Sequence, residues 1–226
     1  MKRILIVGAG GQIGSELTTY LRKIYGASNV VATDVRECGK LAEGGPFEVL
    51  NALDAKAMSS VVERYKIDAI FNLVALLSAV GEKNPQTAWN INIGALMNAL
   101  EVAREYGCAL FTPSSIGAFG PTSPKDKTPQ DTIMQPTTIY GVCKVTGELL
   151  GNYYFRRYGV DTRSVRFPGI ISNVTLPGGG TTDYAVEIYY EAIRSGRFTC
   201  PVPSDVYMDM IYMPCLLYTS DAADDK

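Results

Sequence analysis

Short apolar runs alternate along the chain with stretches in which apolar residues recur every three or four positions. Residues 3–7, 29–33, 47–50, 69–75, 109–113 and 162–167 read as strands. Residues 12–25 place Ile13, Leu17, Leu21 and Ile24 on one helical face, and 55–66 do the same with Met58, Val61, Val62 and Tyr65. Further helices are predicted over 85–106, 138–158 and 183–195. The run at 69–75 is almost wholly apolar, as expected of a central strand covered on both sides. Strands alternating with crossover helices imply an α/β fold, a doubly wound and mainly parallel sheet with helices on both faces. Pro and Gly cluster at 120–136 and 168–180, where loops at the carboxyl edge of such a sheet form a binding crevice.

Gly8-Ala9-Gly10-Gly11-Gln12-Ile13-Gly14 lies directly between the first strand and the first helix. Glycines there permit a tight turn, close approach of backbone to a pyrophosphate, and close helix–strand packing; the helix N-terminus presents N–H groups to the phosphates. Asp34 follows Gly14 at the end of the second strand, placed to accept hydrogen bonds from an adenosine ribose. Its charge favours NAD over NADP, although Arg36 leaves a 2′-phosphate open.

Composition narrows the chemistry. The chain has 226 residues, 21 Lys and Arg against 23 Asp and Glu, and no histidine. The missing imidazole excludes Ser-His-Asp hydrolysis, histidine proton shuttling and histidine-ligated zinc, and no metal is expected. The scattered charge gives no footprint for nucleic acid, and no apolar run is long enough to span a membrane. Five separated cysteines without a C-x-x-C pair or leader point to reduced thiols and a cytoplasmic setting.

Tyr140 and Lys144 stand four residues apart, on one face of a helix. A free phenol, with a pKa of about 10, is a weak base at neutral pH, whereas a neighbouring ammonium and a bound nicotinamide cation favour the phenolate. Ser115, just past the fifth strand, is placed to hold a substrate oxygen beside it.

On these residues the chain resembles the extended short-chain dehydrogenases/reductases of the epimerase/dehydratase group: the glycine loop of Gly8, Gly11 and Gly14, then Ser115, Tyr140 and Lys144. It is similar in particular to the histidine-independent, NAD-dependent L-threonine 3-dehydrogenases. The strings that carry this are residues 71–78 (FNLVALLS), 113–120 (PSSIGAFG), 166–172 (RFPGIIS) and 177–185 (PGGGTTDYA). The resemblance implies a Rossmann sheet with part of a small substrate lobe, and oxidation of L-threonine, a small-molecule substrate, to 2-amino-3-oxobutanoate with NAD.

Tyr140 is then the base, Lys144 its partner and a ribose ligand, and Ser115 the donor to the reacting oxygen. Gly8, Gly11, Gln12, Ile13, Gly14, Asp34, Arg36, Asn51, Ala52, Leu73, Ala75 and Ile170 fall to the cofactor, and Ser78, Thr181 and Thr182 to the amino-acid head group. Asn51 stands where the family commonly carries aspartate. Thr181 and Thr182 also suit capping of the next helix, and Ser78 an ordinary loop hydroxyl. A sugar-nucleotide epimerase or dehydratase, and a non-catalytic NAD-binding module, are the rival readings; Pro168-Gly169, where the former usually carry Asn, and the complete Ser115, Tyr140 and Lys144 set weigh against them.

The expected organisation is a cofactor domain over 1–170, a partial substrate lobe over 171–214, and a tail over 215–226 that reads as an adaptor read-through of an environmental (metagenome) gene fragment. The resemblance also implies a homodimer through the helices at 85–106 and 138–158. Trp89, Met97, Tyr153 and Tyr154 are contact candidates that core packing explains equally well.

Overall fold

The computed structural model describes residues 2–176 and 178–222. Met1 of the expected cofactor domain, Pro177 of the 177–185 string, and residues 223–226 of the expected tail lie outside the described residues. Six parallel strands form the central sheet in the order β3-β2-β1-β4-β5-β7. They are β1 (Ile4–Val7), β2 (Val30–Asp34), β3 (Phe47–Val49), β4 (Ala69–Asn72), β5 (Ala109–Phe111) and β7 (Thr162–Arg163). The helices are α1 (Gln12–Tyr25), α2 (Gly39–Glu43), α3 (Ala55–Tyr65), α4 (Ser78–Lys83), α5 (Pro85–Tyr106), α6 (Ile139–Tyr158), α7 (Tyr184–Ser195) and α8 (Met213–Ala222). Two small parallel ladders lie beyond the carboxyl edge: β6 (Ser114–Ser115) with β8 (Arg166–Phe167), and β9 (Gly169–Ile171) with β10 (Met210–Tyr212).

The strand pattern explains the layers. Ile4 and Ile6 enter one apolar core with Leu17, Leu21 and Phe71, whereas Leu5 and Val7 enter the other with Met58, Leu100 and Leu110. A strand at the middle of the sheet thus has no polar face, which is why β1 reads as an unbroken apolar run. Each fully buried side chain of this kind contributes about 1.5–3 kcal/mol relative to exposure. Arg22 fastens the outer edge: its buried guanidinium donates to the carbonyls of Val30, Leu41 and Pro46 at 3.3, 2.6 and 2.7 Å.

The structure refines the expected limits at several points. The run at 69–75 is strand only to Asn72; Leu73 N–H still donates to Val7 O at 2.9 Å, but the chain then turns into the cleft. The segment at 162–167 splits into β7 and β8, because its second half leaves the main sheet to pair with β6. Short α2 and α4, and β9 and β10, carry too few residues to show a period and have no counterpart in the sequence-based assignment. Tyr154 is core, its hydroxyl donating to Glu101, whereas Trp89 and Tyr153 are exposed. Residues 215–222 continue α8, and Leu216 and Leu217 pack into the α1-side core. Among the described residues no helix is long and apolar enough to cross a membrane.

Candidate active site

The glycine loop joins β1 to α1. The N–H groups of Gly8 and Ala9 both donate to Thr33 O at 2.9 Å, and that of Gly11 to Gly8 O at 3.2 Å. A Cβ at Gly14 would lie 2.3 Å from Gly8 O and 2.7 Å from Ala9 Cα, so only glycine lets α1 rest directly on the loop. Gly11 is the N-cap of α1; no side chain caps the helix and no acidic residue occupies its first turn. The first N–H groups of a helix have no intrahelical acceptor; here they form the positive end of the dipole, and the cap residue supplies no side-chain acceptor for them. That cradle fits the pyrophosphate of a dinucleotide.

Asp34 ends β2 beside the loop, its Oδ2 accepting from Gly10 N–H at 2.9 Å, and Arg36 is exposed two residues on. Leu50 N–H donates to Asp34 O at 2.8 Å, which brings Asn51 and Ala52 to the same end of the sheet. Asn51 is exposed and accepts from Leu53 N–H at 3.0 Å; Ala52 is buried, its carbonyl receiving Asn98 Nδ2 at 2.9 Å.

At the other end of the crevice three chain segments converge. Ser115 closes β6, and its Oγ accepts from Gly117 N–H at 3.1 Å as the backbone enters a single 3-10 turn. Tyr140 stands in the first turn of α6, which Thr138 caps by accepting from Gly141 N–H at 3.0 Å. The Tyr140 ring lies against Gly117, its edge atoms 3.3 Å from where a Cβ would be. One helical turn later, Lys144 Nζ stands 5.3 Å from the centre of that ring and donates to Pro113 O at 2.6 Å.

A cleft of about 370 Å³ opens over Ser115 and Tyr140 and is lined also by Gln12, Ser78, Ile170, Thr181 and Thr182. Ser78 Oγ and Thr181 Oγ1 share a hydrogen bond of 2.8 Å across its rim. The N-cap of α7 is Asp183, so capping does not occupy Thr181 or Thr182. Asp183 instead accepts from the N–H groups of Gly179 and Gly180 at 2.9 and 2.8 Å, which fixes the loop that presents both threonines. The expected residues therefore fall into two groups. Gly8, Gly14, Asp34, Arg36, Asn51 and Ala52 gather at the β1–β2–β3 end, while Ser78, Ser115, Tyr140, Ile170, Thr181 and Thr182 surround the cleft. Leu73 and Ala75 lie between them on the segment after β4.

A supporting layer escaped the sequence reading. Glu148 lies one turn beyond Lys144 on α6, takes a double hydrogen bond from Arg166 at 2.9 and 2.7 Å, and accepts from Ser114 Oγ. Burial disfavours its charge, yet the hydrogen bonds from Arg166 and Ser114 outweigh that and hold the carboxyl below the usual range. Ser114 and Arg166 face each other in the β6–β8 register, so this cluster clamps the strand that carries Ser115 to the helix that carries Tyr140 and Lys144. The spacing 140, 144, 148 on one helix face is the signal that marks Glu148. Asn92 Oδ1 accepts from Leu76 N–H at 2.7 Å and its Nδ2 donates to Leu76 O at 3.2 Å, holding the segment before Ser78. Asn72 Oδ1, buried in a small cavity that Lys144 also lines, has no hydrogen-bond partner among the described residues.

The NAD dependent epimerase/dehydratase family matches residues 4–212. The chain belongs to that family. NAD is the cofactor the family's description names, and the glycine cradle suits its pyrophosphate. An uncharacterised epimerase/dehydratase of Staphylococcus haemolyticus (strain JCSC1435) is 60% identical over 215 residues, which are 94% of this chain and 68% of that protein. The L-threonine dehydrogenase of Clostridium difficile superposes with a TM-score of 0.93 at 53% identity, covering 97% of this chain and 69% of that one. The holo form of a GalE-like L-threonine dehydrogenase from Cupriavidus necator gives 0.95 at 48% identity, covering 99% and 73%. This epimerase/dehydratase-family protein thus shares its fold, and nearly its whole length, with enzymes about half identical to it.

Proposed function

We propose that this chain oxidises the 3-hydroxyl of L-threonine with NAD, giving 2-amino-3-oxobutanoate and NADH. The observation that carries the reading is one cleft in which Ser115 and Tyr140 face Ser78, Thr181 and Thr182: two groups for a reacting alcohol beside three hydroxyls for a small polar head group. The likeness to two L-threonine dehydrogenases supports it.

Bound NAD would supply the hydride acceptor. Gly8, Gly11, Gln12, Ile13 and Gly14 would hold its pyrophosphate, and Asp34 its adenosine ribose. Arg36, Asn51, Ala52, Leu73, Ala75 and Ile170 would complete the cofactor site. Tyr140 is the base and takes the proton of the 3-hydroxyl on its phenolic oxygen; the hydride that C3 gives up would pass to the bound NAD, which accounts for both electrons and both hydrogens the alcohol loses. Ser115 donates to the same oxygen and orients it. Lys144 has three N–H donors, of which Pro113 O takes one; the others remain for the Tyr140 side and the cofactor ribose. In this reading residues 1–170 form the cofactor part and residues 171–214 part of a substrate lobe, and the pairing of β9 with β10 ties the two together.

Incubating the purified chain with NAD and L-threonine, and following NADH by absorbance, tests the reading. We expect NADH to form, and Tyr140→Phe to lower turnover by about 10²–10⁴ while NAD affinity stays near that of the wild type. Conversion of a UDP-sugar with no response to threonine would overturn it, and equal loss of turnover and NAD affinity would make Tyr140 structural.

A further inference from the structure

The short helix α4 touches two parts of the site at once. Ser78 starts it and shares the 2.8 Å hydrogen bond with Thr181 across the cleft. One turn later on the same face, Glu82 Oε1 accepts the N–H of Ile139 at 2.7 Å, a contact between residues 57 positions apart. Ile139 is the first residue of α6 and Tyr140 the second.

The first turn of α6 is therefore held by two side chains. Thr138, its own N-cap, accepts from Gly141 N–H; Glu82, from a different helix, accepts from Ile139 N–H. Packing reinforces this. A Cβ at Gly81 would lie 3.5 Å from Ile139 Cγ2, so α4 already rests on the start of α6. On the opposite side a Cβ at Gly141 would lie 2.2 Å from Gly117 O, so the turn bearing Tyr140 is set directly against the backbone that follows Ser115. Tyr140 thus sits between the Ser115 turn and α4. A carboxylate is also the favourable charge at a helix N-terminus.

We propose that Glu82 is a positioning residue for Tyr140: it ties the first turn of α6 to the helix whose opening residue, Ser78, faces the substrate head group. The inference rests on the reading of Tyr140 as the base and Ser78 as a substrate contact. Glu82 touches neither substrate nor cofactor; it acts through the Ile139 N–H. Because Glu82 is exposed, its replacement leaves both cores intact.

Glu82→Ala and Glu82→Gln separate this role from bulk stability. Hydrogen exchange at the start of α6 reads the bond directly, and turnover of threonine reads its effect. In Glu82→Ala the Ile139 amide should exchange about tenfold faster, since it loses an ionised acceptor. Turnover should fall about three- to tenfold, through misplacement of Tyr140, with KM for NAD unchanged and the melting temperature lowered by no more than a few degrees. Glu82→Gln keeps an acceptor oxygen and should restore most of both readings. Wild-type turnover in Glu82→Ala, or a Gln variant as impaired as Ala, would overturn the proposal. A wild-type chain that turns over no threonine sinks the threonine reading instead. Exchange then decides for Glu82: protection at Ile139 that Ala loses and Gln keeps supports it, and unchanged exchange overturns it.

Discussion

The two ends of the crevice are built by different means. At the β1–β2–β3 end, the glycine loop is set mainly by backbone against backbone, with the Asp34 carboxylate accepting from Gly10: Gly14 lets α1 rest on Gly8 and Ala9, and the loop amides bond to Thr33 O. At the cleft end, position is set by side chains that reach across the chain: Glu148 to Arg166 and Ser114, Asn92 to Leu76, Glu82 to Ile139, Ser78 to Thr181. The first end depends on what is absent at a few glycines. The second depends on pairs of groups whose partners lie 16 to 103 positions away. The first end is broken by added bulk at Gly14; the second, besides the close approach of Gly141 to Gly117 O, is broken by loss of a partner.

The sharpest way to test that contrast is Glu148→Gln. Both carboxylate and guanidinium are largely buried, with 14% and 17% of their side chains exposed, so breaking the pair leaves Arg166 with only Asp131 as a countercharge. The expected loss is about 3–5 kcal/mol of stability, measured by denaturant titration at neutral pH. The folded pKa of Glu148 is depressed, so its stabilisation is complete above the ordinary carboxylate value of about 4.3 and is lost as the pH falls through the folded value. The difference between wild type and variant should therefore shrink below about pH 4, and a gap that stays constant there would contradict the assignment.

Gly14→Ala probes the other end. Its Cβ would collide with Gly8 O and Ala9 Cα, and the overpacking should remove about 1–3 kcal/mol. NAD affinity should fall about tenfold or more as the α1 terminus shifts, a difference of about 1.4 kcal/mol that a binding titration resolves. Wild-type NAD affinity in this variant would break the idea that the loop is read by backbone fit.

The smallest effect is expected at the exposed rim. Thr181→Val removes one hydrogen bond, worth about 0.5–1.5 kcal/mol, from Ser78. Thermal unfolding should barely move, while KM for threonine rises a few-fold and KM for NAD does not. An unaltered KM for threonine would remove Thr181 from the head-group site.

The same contrast decides what could be read in advance. Helices α1 and α5 match their expected limits residue for residue, because each has at least three turns over which an apolar period is visible. The glycine loop, Tyr140 and Lys144 are short, local patterns, and they stand where the pattern puts them. Helix α4, six residues long, shows no period, and Glu82 in it looks like any exposed acid until Ile139 is seen beside it. The split of 162–167 was equally hidden, since Arg166 leaves the main sheet for partners, Ser114 and Glu148, that lie far from it along the chain. Asn92 lies within a helix whose apolar pattern gives no reason to single out one amide.

The ladder of β9 with β10 separates length from position. Ile170, in the cleft wall, is registered against Ile211, more than forty positions later, and the intervening chain carries the threonine loop and α7. Closing a flexible loop grows dearer only logarithmically, by about 0.6 kcal/mol for each doubling of its length. Insertions between Ile171 and Met210 can therefore remodel what lies over the cleft while the three-residue ladder keeps Ile170 where it is. The wall of the reaction chamber and the shape of its roof are free to diverge independently.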